Sequence, residues 1–203
     1  MPSTLSRLYY VAISLCLLGL SGCASTPSGK STETTAPVTW EQRQQQLMTI
    51  RNWTLAGAIS IRTEADATSA SLNWQQQGNH YQIRLFGPLG AGQIQLKGTP
   101  HQATLIMQKE TVSAASPEQL FLQQTGWYMP VTNLLYWVRG IPSPYSVANV
   151  TQDESKRAHT IIQDGWTIRY DRFRTIKGQD FPTKIQLSSG EIQIRLVINR
   201  WQI

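Results

Sequence analysis

The residues whose spacing most clearly implies chemistry lie near the start of the chain, where an apolar run after Arg7 ends in Leu20-Ser21-Gly22-Cys23. A single basic residue, a short apolar stretch and small residues at its end are the layout of a cleaved secretory signal. A membrane-spanning helix needs about 20 apolar residues, and this run is shorter. We therefore predict that residues 1–22 form a signal peptide and that Cys23 follows the cleavage point.

The small-small-Cys ending resembles a bacterial lipobox, which implies that Cys23 carries a diacylglycerol thioether and an acylated amine. Each buried CH₂ contributes about 0.8 kcal/mol, so two or three acyl chains hold a protein firmly on a membrane. The alternative is an ordinary signal peptide in which a cysteine falls at this position by chance. Ala24, not Asp, follows the cysteine, which favours the periplasmic face of the outer membrane over retention at the inner membrane.

Other reactive groups are sparse. Cys16 leaves with the signal peptide and Cys23 is consumed by lipid, so no thiol remains for a disulfide, a zinc site or a nucleophile. The sequence has no Gly-x-Ser-x-Gly, no His-Glu-x-x-His and no Gly-rich phosphate loop. His80, His101 and His159 stand in separate polar contexts typical of surface residues. We expect no enzyme activity, no metal and no cofactor, although a triad assembled only in space stays open.

The formal net charge is +6. Such an excess favours anionic lipid head groups or acidic partners, and a solvated basic surface is an equally simple explanation. No basic run is dense enough to indicate nucleic acid. Residues 23–38 are rich in Ser, Thr, Pro and Gly, which predicts a lipidated flexible tether, and residues 39–203 fit one domain.

Period-two alternation of apolar residues dominates this domain and predicts strands with one buried face. Asp164-Gly165 is a strong hairpin signal, and short turns between successive strands imply antiparallel pairing. The alternating segments are centred on Ile59, Leu72, Ile83, Ile94, Leu105, Ile168, Leu187 and Leu196.

Three segments interrupt the alternation and predict short helices. Thr39-Trp40-Glu41-Gln42 has capping-box spacing and opens a helix reaching about Ile50. Ser116-Pro117-Glu118-Gln119 opens a second helix that Gly126 ends, and residues 133–139 form a third candidate. Helices inserted into a long meander must cover an apolar sheet face. The predicted fold is therefore mainly β, an incomplete antiparallel barrel closed by a few short α-helices.

Such a barrel is either filled by its own side chains or hollow enough to hold a ligand. Alternation alone does not separate these two alternatives. The inward set combines Trp, Tyr and branched aliphatic residues without charges, which favours an apolar cavity suited to acyl chains.

The segment Phe86-Gly87-Pro88-Leu89-Gly90 follows a strand, and its Pro and Gly residues predict a turn. Leu89 is then held at an exposed tip, unless it folds back onto a neighbouring strand. Insertion of one leucine into lipid contributes a few kcal/mol at most, which disturbs a bilayer locally and does not anchor a protein.

A combination of short motifs makes the mature chain similar to the LolB family of outer-membrane lipoprotein receptors, within the LolA/LolB-like lipoprotein localisation family. Besides the lipobox, these motifs are Trp53-x-Leu55-x-Gly57, Trp74-x-Gln76, Tyr81-x-Ile83-x-Leu85, Gly87-Pro88-Leu89-Gly90, Ser116-Pro117-Glu118, Gly126-Trp127-Tyr128-Met129-Pro130-Val131, Leu134, Trp137, Gly140-Ile141-Pro142-x-Pro144, Gly165-Trp166-x-Ile168-x-Tyr170 and Ile194-Arg195-Leu196-Val197-Ile198 with Trp201. The segment 147–159 and the tether carry no part of the resemblance.

The resemblance implies a monomeric receptor that accepts lipoproteins from the periplasmic carrier LolA and inserts them into outer-membrane phospholipid without nucleotide. It also implies that Pro88, Leu89 and Gly90 form a membrane insertion loop. The residues expected to line the acyl-chain cavity are Trp53, Leu55, Ile59, Leu72, Trp74, Tyr81, Ile83, Leu85, Ile94, Leu96, Leu134, Trp137, Trp166, Ile168, Ile194 and Leu196. A structural or scaffolding outer-membrane lipoprotein with a packed β core is the main alternative, and a tethered hydrolase is a third.

Overall fold

The computed structural model describes residues 38–87, 92–107, 110–126 and 128–203. These residues form an eleven-stranded antiparallel sheet and three helices. The helices are α1 (Trp40–Thr49), α2 (Pro117–Thr125) and α3 (Val131–Trp137), and the strands are β1 (Asn52–Arg62), β2 (Ala67–Gln77), β3 (His80–Phe86), β4 (Gln93–Thr99), β5 (Gln102–Met107), β6 (Glu110–Ala114), β7 (Ala148–Gln152), β8 (Ala158–Gln163), β9 (Trp166–Ile176), β10 (Gln179–Ser189) and β11 (Ile192–Gln202).

The strand order is β6-β5-β4-β3-β2-β1-β11-β10-β9-β8-β7. Neighbouring strands of the sheet are consecutive in sequence except β1 and β11, whose pairing joins the two ends of the domain in the middle of the sheet. The sheet stays open, since β6 and β7 form its two edges. The chain leaves at one edge, forms α2 and α3, and re-enters at the other edge. The predicted incomplete barrel closed by short helices is confirmed.

The predicted capping signals form as expected. The Thr39 hydroxyl accepts a hydrogen bond from the Gln42 amide at 3.3 Å, and the Gln42 side chain accepts one from the Thr39 amide at 3.0 Å. Ser116 caps α2 by accepting from the Gln119 amide at 3.1 Å. Gly126 ends that helix in the left-handed region at φ 78°, a conformation that glycine adopts without a steric cost.

Gly57 marks a close approach between the two central strands. The register of β1 against β11 shifts between Ala56 and Gly57. A Cβ at position 57 would lie 2.0 Å from the Val197 carbonyl oxygen, far inside van der Waals contact, so only glycine fits. The irregularity lies between the part of β1 that carries Trp53 and Leu55 and the part that carries Ile59 and Ile61.

Candidate functional site

An apolar cavity lies between the inner face of the sheet and the helices α2 and α3. Its inner chamber has a volume of about 90 Å³. Its walls come from β1 to β5, β11, α2, α3 and the segment between those two helices. The lining residues are Ile59, Ile61, Leu72, Trp74, Ile83, Leu85, Ile94, Leu96, Leu105, Phe121, Met129, Val131, Leu134, Ile194 and Leu196.

A larger outer chamber of about 1020 Å³ continues the inner one. The two chambers share Ile59, Ile61, Leu85, Ile94, Leu96, Leu105 and Phe121 as lining residues. The outer chamber reaches the end of the sheet at which β1 ends and β2 begins, and we call this opening the mouth. The apolar surface therefore runs without interruption from the interior to the mouth.

The mouth itself is polar and acidic. Its lining includes the carboxylates of Glu64, Asp66, Glu110 and Glu191 together with several Thr, Ser and Gln side chains, and the described lining residues include no Lys or Arg. An apolar interior with a charged rim lets hydrocarbon enter while the rim stays hydrated.

Helix α2 forms one side of the passage between the chambers. Leu120 is buried and lines the outer chamber, whereas the neighbouring Phe121 faces both chambers. The Glu118 carboxylate accepts a hydrogen bond from the Thr132 amide at 2.7 Å. This bond fixes the start of α2 against the first turn of α3.

An aromatic cluster closes the cavity at the end opposite the mouth. Trp74 lines the inner chamber, and its ring centroid lies 5.2 Å from that of Trp53. Trp53 contacts Trp201 at 5.3 Å, and Trp201 contacts Phe181 at 4.9 Å. Tilted aromatic pairs at these distances stabilise one another beyond their burial, so these contacts stabilise the closed end.

The structure brings ten of the predicted acyl-chain residues together on the wall of the inner chamber. They are Ile59, Leu72, Trp74, Ile83, Leu85, Ile94, Leu96, Leu134, Ile194 and Leu196. These residues span five strands and α3, as a shared inner face of an antiparallel sheet requires. Contact with an acyl chain stays a prediction for each of them.

Six predicted residues lie away from both chambers. Trp53 belongs to the closed-end cluster, and Leu55 is 2% exposed between Trp74 and Trp201 on the neighbouring strands. Tyr81 is buried, and its hydroxyl has no hydrogen-bond partner among the described residues. Burial is the larger cause of the raised pKa of this hydroxyl, and the nearby Glu118 charge is the smaller one. The other three, Trp137, Trp166 and Ile168, fill the interior beside β8 to β10.

We call this filled interior the packed region and define it by Trp137, Ile161, Trp166, Ile168 and Ile185. Each is 2% exposed or less. The Trp137 ring lies 6.4 Å from Trp166. The Trp137 indole fills the interior beside β8 to β10, whereas the corresponding volume beside β1 to β5 stays open. The inward residues of β9 therefore do not reach the cavity.

Sequence reasoning did not assign five residues of the inner wall. Ile61 and Leu105 continue the alternation of their strands, and that signal was available. To assign Phe121, the inward face of α2 must be known, and the amphipathic pattern of that helix is weak. Met129 and Val131 lie in a motif of the family resemblance but in no periodic segment, so periodicity did not assign them to the wall.

Several predicted sites either lie outside the described residues or are not brought together by the fold. Cys23 and the loop residues Pro88, Leu89 and Gly90 lie outside the described residues, as do the signal peptide and nearly all of the predicted tether. The three histidines are exposed and separate. Within the described ranges, no three His, Cys, Asp or Glu side chains gather as metal ligands, and no helix has the length and apolarity to cross a membrane.

Residues 51–201 match the protein family described as outer membrane lipoprotein LolB. This chain belongs to the LolB family. Outer-membrane lipoprotein LolB of Pseudomonas paraeruginosa is 39% identical over 198 residues, covering 97% of this chain and 96% of that protein. The protein of the same name from Coxiella burnetii is 35% identical over 196 residues, covering 96% and 93%.

Solved structures support the fold. A LolA-superfamily protein from Nitrosomonas europaea superposes with a TM-score of 0.51 at 11% identity, covering 82% of this chain and 94% of that one. A DUF1329-family protein from Desulfovibrio piger gives a TM-score of 0.56 at 7% identity, covering 80% and 90%. At these identities the likeness concerns the arrangement of sheet and helices alone.

Proposed function

We propose that this LolB-family chain accepts acylated lipoproteins from a soluble periplasmic carrier of the LolA type and releases them into the outer membrane. The observation that carries the proposal is the apolar lining that continues from the inner chamber to the mouth. The names of its relatives, which are outer-membrane lipoproteins, support the location.

The energetics of the cargo explain why a sheltered cavity is needed. At about 0.8 kcal/mol per CH₂, a sixteen-carbon acyl chain in water costs on the order of 10 kcal/mol. A cavity that receives the chain directly from a carrier avoids this cost. Transfer then proceeds without nucleotide if each acceptor binds more tightly than its donor, at about 1.4 kcal/mol for each factor of ten.

The two chambers have distinct parts in this proposal. The inner chamber alone is too small for a whole acyl chain, so the outer chamber holds most of the hydrocarbon and the inner chamber takes its end. Phe121, which faces both chambers, lies where the chain passes from one to the other. The cavity is lined for hydrocarbon in general, so its shape does not select one lipoprotein sequence.

A probe-binding experiment tests the cavity directly. The chain carrying Cys23→Ala, which cannot receive a lipid at that position, should bind a fluorescent fatty acid saturably. Ile59→Trp places an indole where the chambers meet and should weaken binding at least tenfold. Val197→Trp is the matched control, since Val197 pairs with Ala58 on the outer face and is 39% exposed.

The alternative, a structural lipoprotein with a packed core, makes the opposite prediction. Under that alternative the Cys23→Ala chain takes up no fatty acid and no acylated peptide. Equal binding by the Ile59→Trp and Val197→Trp variants would also remove the cavity from the proposal, because the probe would then sit elsewhere.

Leu89 has a separate role in the proposal. We propose that Leu89, between Pro88 and Gly90, inserts into outer-membrane phospholipid and helps release cargo. We also propose that the chain acts as a monomer. Leu89→Glu should leave fatty-acid binding intact and block transfer of lipoprotein into liposomes. Val147→Glu, at an apolar side chain that is 92% exposed, is the control; full transfer by Leu89→Glu would contradict the role.

A further inference from the structure

A buried arginine lies at the closed end of the domain, away from the cavity. Arg139 follows α3 and is 6% exposed. Its Nε donates to the Leu135 carbonyl at 2.9 Å, and its Nη1 donates to the carbonyls of Leu47 and Ile50, each at 2.9 Å. Its guanidinium carbon lies 5.1 Å from the centre of the Tyr136 ring.

These acceptors offset the charge of Arg139 only in part. Leu47 and Leu135 lie in the last turns of α1 and α3, where carbonyl groups carry partial negative charge. None of the carboxylate ion pairs among the described residues includes Arg139. Burial lowers the pKa of its guanidinium to about 10, which leaves it protonated near neutral pH. Buried charges are normally paired, and this one has no anionic side chain beside it.

Arg139 lines a pocket of about 290 Å³. Among the described residues, the protein acceptors of Arg139 bond its Nε and Nη1 atoms. Arg51, Asn79, Tyr136 and Tyr145 also line the pocket, and its described lining has no carboxylate. Arg51 Nη2 donates to Asn79 Oδ1 at 3.2 Å, and the hydroxyls of Tyr136 and Tyr145 lie 3.5 Å apart.

We propose that this pocket binds a phosphate group between the guanidinium groups of Arg139 and Arg51, with the two tyrosine hydroxyls as further donors. Guanidinium is the side chain best matched to phosphate, because its planar donors bond two oxygens at once. A phosphate monoester carries a charge of −1.5 to −2 at neutral pH, which two guanidinium groups balance. Either a free phosphate compound or a lipid head group supplies this chemistry.

The site is separate from the acyl-chain cavity and goes beyond the proposed function. Arg51 precedes the first residue of β1, and the mouth begins where that strand ends. An eleven-residue strand at about 3.3 Å per residue places the pocket on the order of 30 Å from the mouth. The inner chamber lies nearer, on the other side of the Trp53–Trp74 ring contact. Arg51 and Tyr145 line this pocket and neither chamber of the cavity, so variants at these two positions report on this site.

Calorimetric titration with inorganic phosphate at constant ionic strength tests the proposal on the Cys23→Ala chain. We expect saturable binding that Arg51→Gln weakens at least tenfold and Tyr145→Phe weakens less. Both positions are exposed, so these variants should fold even if Arg139→Gln does not. Arg200→Gln is the matched control, since Arg200 lies in a polar depression on the outer face and its loss changes the net charge equally.

Vesicles containing phosphatidic acid, whose head group is a phosphate monoester, distinguish the two sources of phosphate. If the head group is the ligand, inorganic phosphate and Arg51→Gln each reduce vesicle binding; if free phosphate is the ligand, titration succeeds and vesicles do not compete. The proposal is overturned if the unsubstituted chain shows no saturable phosphate binding, if Arg51→Gln leaves it unchanged, or if Arg200→Gln weakens it as much. Fatty-acid binding should be unaffected by Arg51→Gln, which separates a failure here from failure of the transfer function.

Discussion

The same apolar row passes through two very different regions of this molecule. Cross-strand pairing joins Ile161, Ile168, Leu187, Ile194 and Ile61 across β8, β9, β10, β11 and β1. At one end of the row Ile161 and Ile168 are fully buried in the packed region. At the other end Ile61 faces the two chambers of the cavity. Strand alternation therefore sets which side chains point inward and leaves open whether they meet a neighbour.

The difference lies in what the helices place against the sheet. Helix α3 inserts Trp137, whose indole Nε1 donates to Gln163 Oε1 at 2.8 Å and whose carbonyl accepts from the Tyr170 hydroxyl at 2.8 Å. Over the other strands, α2 contributes Leu120 and Phe121, which leave space between helix and sheet. The interior beside β8 to β10 is therefore filled, whereas the interior beneath α2 stays hollow.

Matched truncations of isoleucine should show this contrast most strongly. Ile168→Ala removes a fully buried side chain and should lower the free energy of unfolding by about 2–5 kcal/mol, the usual cost of such a cavity. Ile59→Ala removes a half-buried side chain at an existing cavity, so its cost should be less than half as large. Urea denaturation of both variants measures the difference, and equal losses would mean that the two regions do not differ in packing.

The buried amide of Gln163 gives a second, smaller contrast. Its Oε1 also accepts from the Ser143 amide at 2.9 Å, and its Nε2 donates to the carbonyls of Ser143 and Ser146 at 2.8 and 2.9 Å. Gln163→Leu leaves these buried groups and the Trp137 indole without a partner, which should cost about 1–3 kcal/mol.

Gln193→Leu serves as its control because that side chain is exposed on β11. It should change stability by about 0.5 kcal/mol or less. Thermal unfolding of the pair decides the point. If Gln163→Leu were as stable as the control, the network would be replaceable by apolar packing, and the polar groups would not be what fixes α3.

Much of the fold was predictable because β1 to β5 and β9 to β11 carry clear period-two patterns and the helices carry capping residues. The strands β6, β7 and β8 were missed for a physical reason. β6 and β7 are edge strands with few large apolar residues, and β8 buries Ala158, Ile161 and Gln163, a set without apolar alternation. Periodicity therefore predicted no strand in the segment 147–159.

For the cavity wall, the sequence predicted which side chains point inward but not whether each one reaches the cavity. Trp166 and Ile168 alternate just as Ile59 and Ile61 do, and their different surroundings depend on where the Trp137 side chain goes. That placement follows from the Gln163 network, whose members are far apart in sequence. Trp53 and Leu55 had the correct face, but Trp53 belongs to the closed-end aromatic cluster and Leu55 lies between Trp74 and Trp201. Sequence periodicity does not locate that cluster.

The smallest expected effect on stability concerns the contacts of the β7–β8 turn, at the edge of the packed region. Asp153, in the β7–β8 turn, accepts hydrogen bonds from the Ser155 and Arg157 amides, each at 2.9 Å, and its carboxylate lies 2.7 Å from Arg157 Nη2. Arg43 of α1 donates to the carbonyls of Ser155 and Lys156 in the same turn. The turn thus connects α1 to β8.

Acid titration of stability measures this contribution. Burial alone would raise the pKa of Asp153, but the hydrogen bonds and charge of Arg157 outweigh it and lower the pKa below the ordinary value. A depressed folded-state pKa gives stability that is complete above the unfolded-state pKa and is lost as pH falls through the folded-state value. Asp153→Asn should therefore lower stability near neutral pH, by about 1 kcal/mol or less for a partly exposed pair, and the difference from the unsubstituted chain should vanish at low pH. Glu154→Gln removes an equal charge from the neighbouring exposed position, and a loss of the same size and pH dependence in that variant would assign the effect to net charge instead of to the contacts of Asp153.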